Sequence, residues 1–210
     1  MANLITGGRL LLLFVTIALI YTRSYPVVAW CTLLIAIVFL SDGLDGFVAR
    51  RRKSTSEFGA ILDIAGDRVV ENALWVVFAQ LGLIGVWMPL LVLTRGFFVD
   101  AMRGMSYRQG KSAFGENTMM LTPLSEFIAA SRFMRAFYGV AKALGFIFLT
   151  SLFAAQVGET RWFGDFYAHD SIRYIGWFMV YSAIALTVIR GVPVLIDAMY
   201  YVRPSEKITE

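Results

Sequence analysis

Hydrophobic positions fill six long runs of the chain, residues 4–21, 26–49, 59–83, 86–108, 130–156 and 172–200, separated by short polar joins. A helix needs about 20 mainly apolar residues to cross a hydrocarbon core. The pattern therefore predicts an all-α integral membrane protein with six transmembrane helices. Turn chemistry marks the joins: "TRSYP" at 22–26, "GLIGVWMP" at 82–89 and "GETRWFGDFYAHDS" at 158–171. A longer polar stretch, from "RQGKSAFGENTMM" into "LTPLSEF", is expected to hold a short surface helix. No repeat or linker divides the pattern, so residues 1–210 read as one membrane domain. The first run lacks a basic segment ahead of its apolar core and a small-x-small cleavage site, and is read as a retained helix.

Composition agrees. Of 210 residues, 58% are hydrophobic and 16% charged, well away from the balance of a soluble domain. A single cysteine, Cys31, and a single histidine, His169, exclude a disulfide framework and a Cys/His zinc site. The net charge of +4 is modest, and its distribution is more informative than its size. Arg50, Arg51, Arg52 and Lys53, then Arg108 and Lys111, then Arg203 and Lys207 fall on one side of the runs, against Arg23 and Arg161 on the other. The positive-inside rule puts both termini and the 50–58 loop in the cytoplasm. Lipid is the expected surrounding, and nucleic acid is not an expected partner.

The stretch "SDGLDGFVARRRKSTSEFGAILDIAGDR", residues 41–68, breaks the apolar pattern with four aspartates. Asp42 and Asp45 are three apart, with Ala49 four beyond; Gly59, Asp63 and Asp67 are spaced four and four. Such spacings put side chains on one helix face, so the second and third runs each carry an acidic stripe. A short polar link makes the two helices antiparallel neighbours, and all four carboxylates then share one cleft. Clustered carboxylates near lipid repel one another unless a cation neutralises them. Arg50 and Arg68 are local candidates, and divalent metal is the stronger solution. All-oxygen ligands select a hard ion, Mg²⁺, Mn²⁺ or Ca²⁺, over zinc. Two ions bridged by shared aspartates would form the clamp used for displacement at phosphorus. Taken singly, each aspartate is equally well explained as a cap, a turn residue or a structural hydrogen-bonding group.

Written out, Asp42-x-x-Asp45-Gly46-x-x-Ala49-Arg50, eight residues, Gly59, three residues, Asp63, three residues, Asp67 resembles the signature of the CDP-alcohol phosphotransferase family at every position and gap. The resemblance implies a membrane enzyme that moves a phosphoryl-linked group from a CDP-activated alcohol to a second alcohol and releases CMP. It implies that Asp42, Asp45, Asp63 and Asp67 bind two divalent ions (Mg²⁺ or Mn²⁺) with no organic cofactor. Asp67 would also be the general base, and Gly46, Ala49, Arg50 and Gly59 would line the CDP site. It further implies a homodimer in a bacterial cytoplasmic membrane. Asn3-x-x-Thr6-x-x-Arg9 resembles the opening of phosphatidylglycerol-phosphate synthases in that family and adds Asn3 and Thr6 to the CDP contacts, although Asn3 serves equally as a helix cap. Ser56, a natural N-cap for the third run, joins the same set.

The expected donor is CDP-diacylglycerol, drawn from the leaflet with its head group at the metals. Arg95 and Arg103 in the fourth run, with Arg132, Arg135 and Lys142 in the fifth, are candidate acceptor contacts. Basic residues inside spans line cavities, pair internally or snorkel to the interface. If they face the cleft, they favour a phosphorylated acceptor such as glycerol 3-phosphate; inositol phosphate, inositol and serine are the alternatives. Ile64 and Arg68 stand where phosphatidylglycerol-phosphate synthases carry Pro and Lys, which leaves the chemistry intact and the acceptor open. Glu71, four past Asp67, is expected to pair with Arg68. A different class, a cation- or proton-coupled transporter, would also place aspartates in the membrane, but it normally shows two related halves.

Overall fold

The computed structural model describes residues 2–52, 57–108, 118, 120–158, 162–167 and 169–202, without the side chains of 2–5, 42–52, 57, 58, 60, 61, 107, 108, 162–164 and 200–202. Among the described residues the regular elements are eight helices: α1 (Ala2–Ile20), α2 (Tyr25–Arg52), α3 (Glu57–Gln80), α4 (Trp87–Arg108), α5 (Pro123–Ala130), α6 (Arg132–Gly158), α7 (Trp162–Tyr167) and α8 (Asp170–Val202). Six of them follow the six apolar runs closely. The expected surface helix is α5, and the short α7 lies within the join at 158–171 that turn chemistry marks. Pro123–Gly158 and Asp170–Met199 are long and apolar enough to cross a membrane.

Apolar residues on both faces argue for lipid. On α2, Val28, Cys31, Ile35 and Val38 are buried, while Trp30, Leu33, Ile37 and Leu40 are exposed. A helix that is hydrophobic all round belongs in a core or a membrane, and here one apolar face packs while the other points outward. Three buried hydroxyls are satisfied within their own helices: Thr16 donates to the Leu12 carbonyl, Thr150 to that of Phe146 and Thr187 to that of Ala183.

Two compact units are formed by Met1–Pro89 with Ala141–Tyr181, and by Leu90–Val140 with Ser182–Glu210. In the first, α1 packs on α2 and α3. Phe146 of α6 is the centre of an aromatic cluster, stacked on Phe39 at 5.6 Å and Phe78 at 6.0 Å and edge-on to Trp75 at 4.8 Å. The Phe148 ring of α6 lies against Gly176 of α8, where a side chain would collide with it. Beyond the end of α6, burial pushes the Tyr167 phenol up, and its hydroxyl hydrogen-bonds to Ser151.

In the second unit, Val99, Met120, Ala129, Val194 and Ala198 form the core. Here α5 is held at both ends by charges of α8. At its start, Thr122 caps the helix in a reciprocal box with Ser125, and Pro123 occupies the first turn. Asp197 accepts from the Leu121 amide at 3.0 Å and from the Ser125 hydroxyl. At its end, Arg190 donates to the Ala129 carbonyl at 3.1 Å and the Ile128 carbonyl at 3.4 Å. Its guanidinium lies over the Tyr138 ring, whose hydroxyl meets Thr187 at 2.8 Å. Arg190 and Asp197 are seven residues apart, about 10 Å along a helix, which roughly matches the length of α5. Anion at the N-terminus and cation at the C-terminus also complement the α5 dipole.

Phe146→Ala is expected to cost about 3–5 kcal/mol by leaving a cavity among three rings, seen as a lower thermal midpoint in detergent. Phe133→Ala, at an exposed position, should stay within about 0.5 kcal/mol. Asp197→Ala or Arg190→Ala should speed amide exchange across residues 121–130 roughly 10- to 100-fold, the loss of one charged hydrogen-bond set, with exchange in α1 to α3 unchanged.

Candidate active site

Helix α3 builds the site by period alone. Asp63, Asp67 and Glu71 recur every four residues and share one face. Their environments differ along that face. The Asp63 and Asp67 side chains are 50% and 48% exposed, whereas Glu71 is only 4% exposed. Glu71 is compensated in place: Lys142 of α6 reaches its Oε2 at 3.0 Å, and Arg68 lies at 3.8 Å, one turn back on α3. The expected Arg68–Glu71 pair is present, and Lys142 is the closer partner.

Asp67 is met from α1. Arg9 donates from Nη2 to Asp67 Oδ1 at 2.8 Å and lies 3.9 Å from Asp63 Oδ1. The arginine itself is 3% exposed, and so is Thr6 one turn earlier. Gly66 makes that approach possible, because a Cβ there would fall 2.9 Å from Thr6 Cγ2 and 3.1 Å from Arg9 Nη2. A buried guanidinium without a partner is strongly unfavourable, and Asp67 supplies Arg9 with one.

The donor chemistry on this face suits a hard divalent cation. Asp63 and Asp67 offer half-exposed carboxylate oxygens, while Cys31 is buried with its thiol toward the Thr16 carbonyl. Gly59 lies on the same helix, two turns before Asp67, and is partly buried. The side chains of Asn3, Asp42, Asp45, Ala49 and Arg50, and Ser56 altogether, lie outside the described residues; Asp42 to Arg50, Gly46 included, have helical backbone.

The candidate acceptor residues are divided. Lys142 belongs to the first unit, on Glu71. Arg95, Arg103, Arg132 and Arg135 belong to the second. Arg95 is partly buried with its side chain along Gly191 of α8, Arg103 is partly buried on α4, and Arg132 and Arg135 are exposed at the start of α6. Sequence reasoning missed Arg190 and Asp197, although two charges inside an otherwise apolar final run were a readable signal. It also left Arg9 without a partner.

The comparisons fit this architecture. The CDP-alcohol phosphatidyltransferase family matches residues 1–189. A probable phosphatidylglycerophosphate synthase of Mycobacterium tuberculosis is 31% identical over 115 residues, covering 52% of this chain and 54% of that protein. A CDP-diacylglycerol–glycerol-3-phosphate 3-phosphatidyltransferase of Bacillus subtilis is 30% identical over 71 residues, covering 34% and 37%. A CMP-forming cardiolipin synthase of Streptomyces coelicolor is 33% identical over 81 residues, covering 39% and 38%. The chain thus spans about half the length, 54%, of the first of these relatives and less of the others. A match along most of its length, joined to the acidic face of α3, means that the chain belongs to the CDP-alcohol phosphatidyltransferase family.

Proposed function

We propose that the protein transfers a phosphatidyl group from CDP-diacylglycerol to an acceptor alcohol, glycerol 3-phosphate in the first instance, and releases CMP. The observation that carries this reading is the half-exposed pair Asp63 and Asp67 on one face of α3, in a chain matched by the family over residues 1–189. The names of the relatives in Mycobacterium tuberculosis and Bacillus subtilis support the acceptor. Six membrane-crossing helices, cytoplasmic termini and a homodimer complete the proposal.

Asp42, Asp45, Asp63 and Asp67 would hold two Mg²⁺ or Mn²⁺ ions. Bound there, the ions would offset the charge of the donor pyrophosphate and stabilise CMP as it leaves. Asp67 is the proposed base. Its carboxylate, oriented by Arg9, takes the proton of the acceptor hydroxyl as that oxygen attacks the phosphorus of the phosphatidyl group. The phosphorus–oxygen bond to CMP breaks, and both electrons leave with the nucleotide. Gly59, with Asn3, Thr6, Gly46, Ala49, Arg50 and Ser56, is proposed to hold the CDP moiety. Glu71, paired with Lys142 and Arg68, holds α3 against α6.

Purified protein given CDP-diacylglycerol, Mg²⁺ and glycerol 3-phosphate is expected to release CMP, with Asp67→Asn slower by about 10²- to 10⁴-fold. Inositol phosphate, inositol, serine, choline and phosphatidylglycerol serve as competing acceptors, and a win for inositol, serine or choline, which carry no phosphate, refutes the phosphorylated acceptor. Ion flux across vesicles without CMP release in any mixture would instead establish a transporter. Arg135→Ala is expected to raise KM for the phosphorylated acceptor about tenfold, the order of one charge-assisted contact, with KM for CDP-diacylglycerol little changed.

A further inference from the structure

Arg9 is a buried cation for which the proposed transfer has one use, orienting Asp67. It sits on α1, 3% exposed, inside a helix that is otherwise apolar from Leu10 to Ile20 apart from Thr16. Among the described residues its guanidinium lies beside two carboxylates, Asp67 at 2.8 Å and Asp63 at 3.9 Å, both half-exposed. The contrast with Glu71 is informative. Glu71 is buried against Lys142 and Arg68 and has no open side toward a ligand, so its compensation is permanent. Asp63 and Asp67 keep half their surface open, with the Arg9 guanidinium beside both.

We propose that Arg9 is the resident counter-cation of the α3 acidic face: it holds Asp63 and Asp67 together when no divalent ion is present, and so sets the metal affinity of the site. The inference rests on the metal-binding role of these aspartates proposed above. Two like charges four residues apart on a helix in an apolar chain repel each other, and a fixed cation hydrogen-bonded to one and close to the other offsets that penalty. The same positive charge opposes an incoming divalent ion. Arg9 therefore exchanges metal affinity for stability of the empty site. Gly66 is the second part of the device, because it admits Arg9 to this position.

The test compares full-length wild type, Arg9→Gln and Arg9→Lys in detergent, read by Mn²⁺ binding through the spin resonance of the free ion and by thermal unfolding in EDTA and in Mg²⁺. Arg9→Gln is expected to bind Mn²⁺ about tenfold more tightly, the order expected for removing a unit charge beside the ligands. It should lose thermal stability mainly in EDTA, with Mg²⁺ restoring most of the loss. Arg9→Lys, which keeps the charge, should stay within about threefold of wild type in affinity. An equal loss of stability in EDTA and Mg²⁺, or Mn²⁺ binding that is unchanged or weaker in Arg9→Gln, overturns the proposal and leaves Arg9 a packing or ligand-orienting residue. If Arg9→Gln does not fold in either condition, the lysine variant decides: wild-type affinity and EDTA stability support the charge role, and loss of either overturns it. Wild type that binds no Mn²⁺ overturns the metal reading of the aspartates and this inference with it, a result distinct from any behaviour of the variants.

Discussion

The structure depends on how charge is compensated along one face of α3. A chain that is 58% hydrophobic places Asp63, Asp67 and Glu71 in register on a helix that packs among apolar neighbours. Each carboxylate that is drawn inward must meet a cation, since an isolated buried charge costs several kcal/mol or more. Arg9 comes from α1 and Lys142 from α6, so the two ion pairs tie three helices of one unit together at the site. Aromatic packing around Phe146, on the same α6, supports that arrangement from within the core.

Exposure then separates structure from chemistry. Glu71 is buried and closed off by two cations, which suits a fastening. Asp63 and Asp67, two turns and one turn away, are half open, which suits groups that meet a ligand. The second unit obeys the same rule with different partners. There, the buried charges of α8 are met by the polar ends of α5, Asp197 by an amide and a hydroxyl and Arg190 by two carbonyls. In both units a charge inside an apolar helix marks a place where another element is fastened.

Periodicity made most of this legible. The run predicted at 86–108 is helix Trp87–Arg108, and that at 26–49 is Tyr25–Arg52, because long apolar stretches with turn residues between them have few alternatives. The acidic stripe of α3 was equally readable, since spacing by four fixes a face. The cations that complete it were not. Arg9 and Asp67 are 58 residues apart and Lys142 and Glu71 are 71 apart, so no local period relates them. Arg68, one turn from Glu71, was found because its spacing is helical. Gly66 lies outside the motif that singled out Gly59 and Gly46, and its use emerges only from the crossing of α1 over α3.

The claim that the half-exposed face of α3 holds the catalytic metal is tested most directly by anomalous diffraction at the manganese edge, on crystals of the intact protein equilibrated with Mn²⁺. The account predicts peaks within about 2.5 Å of carboxylate oxygens of both Asp63 and Asp67, the range of hard-cation coordination. Well-occupied peaks elsewhere on the protein, with none beside these two residues, would contradict it.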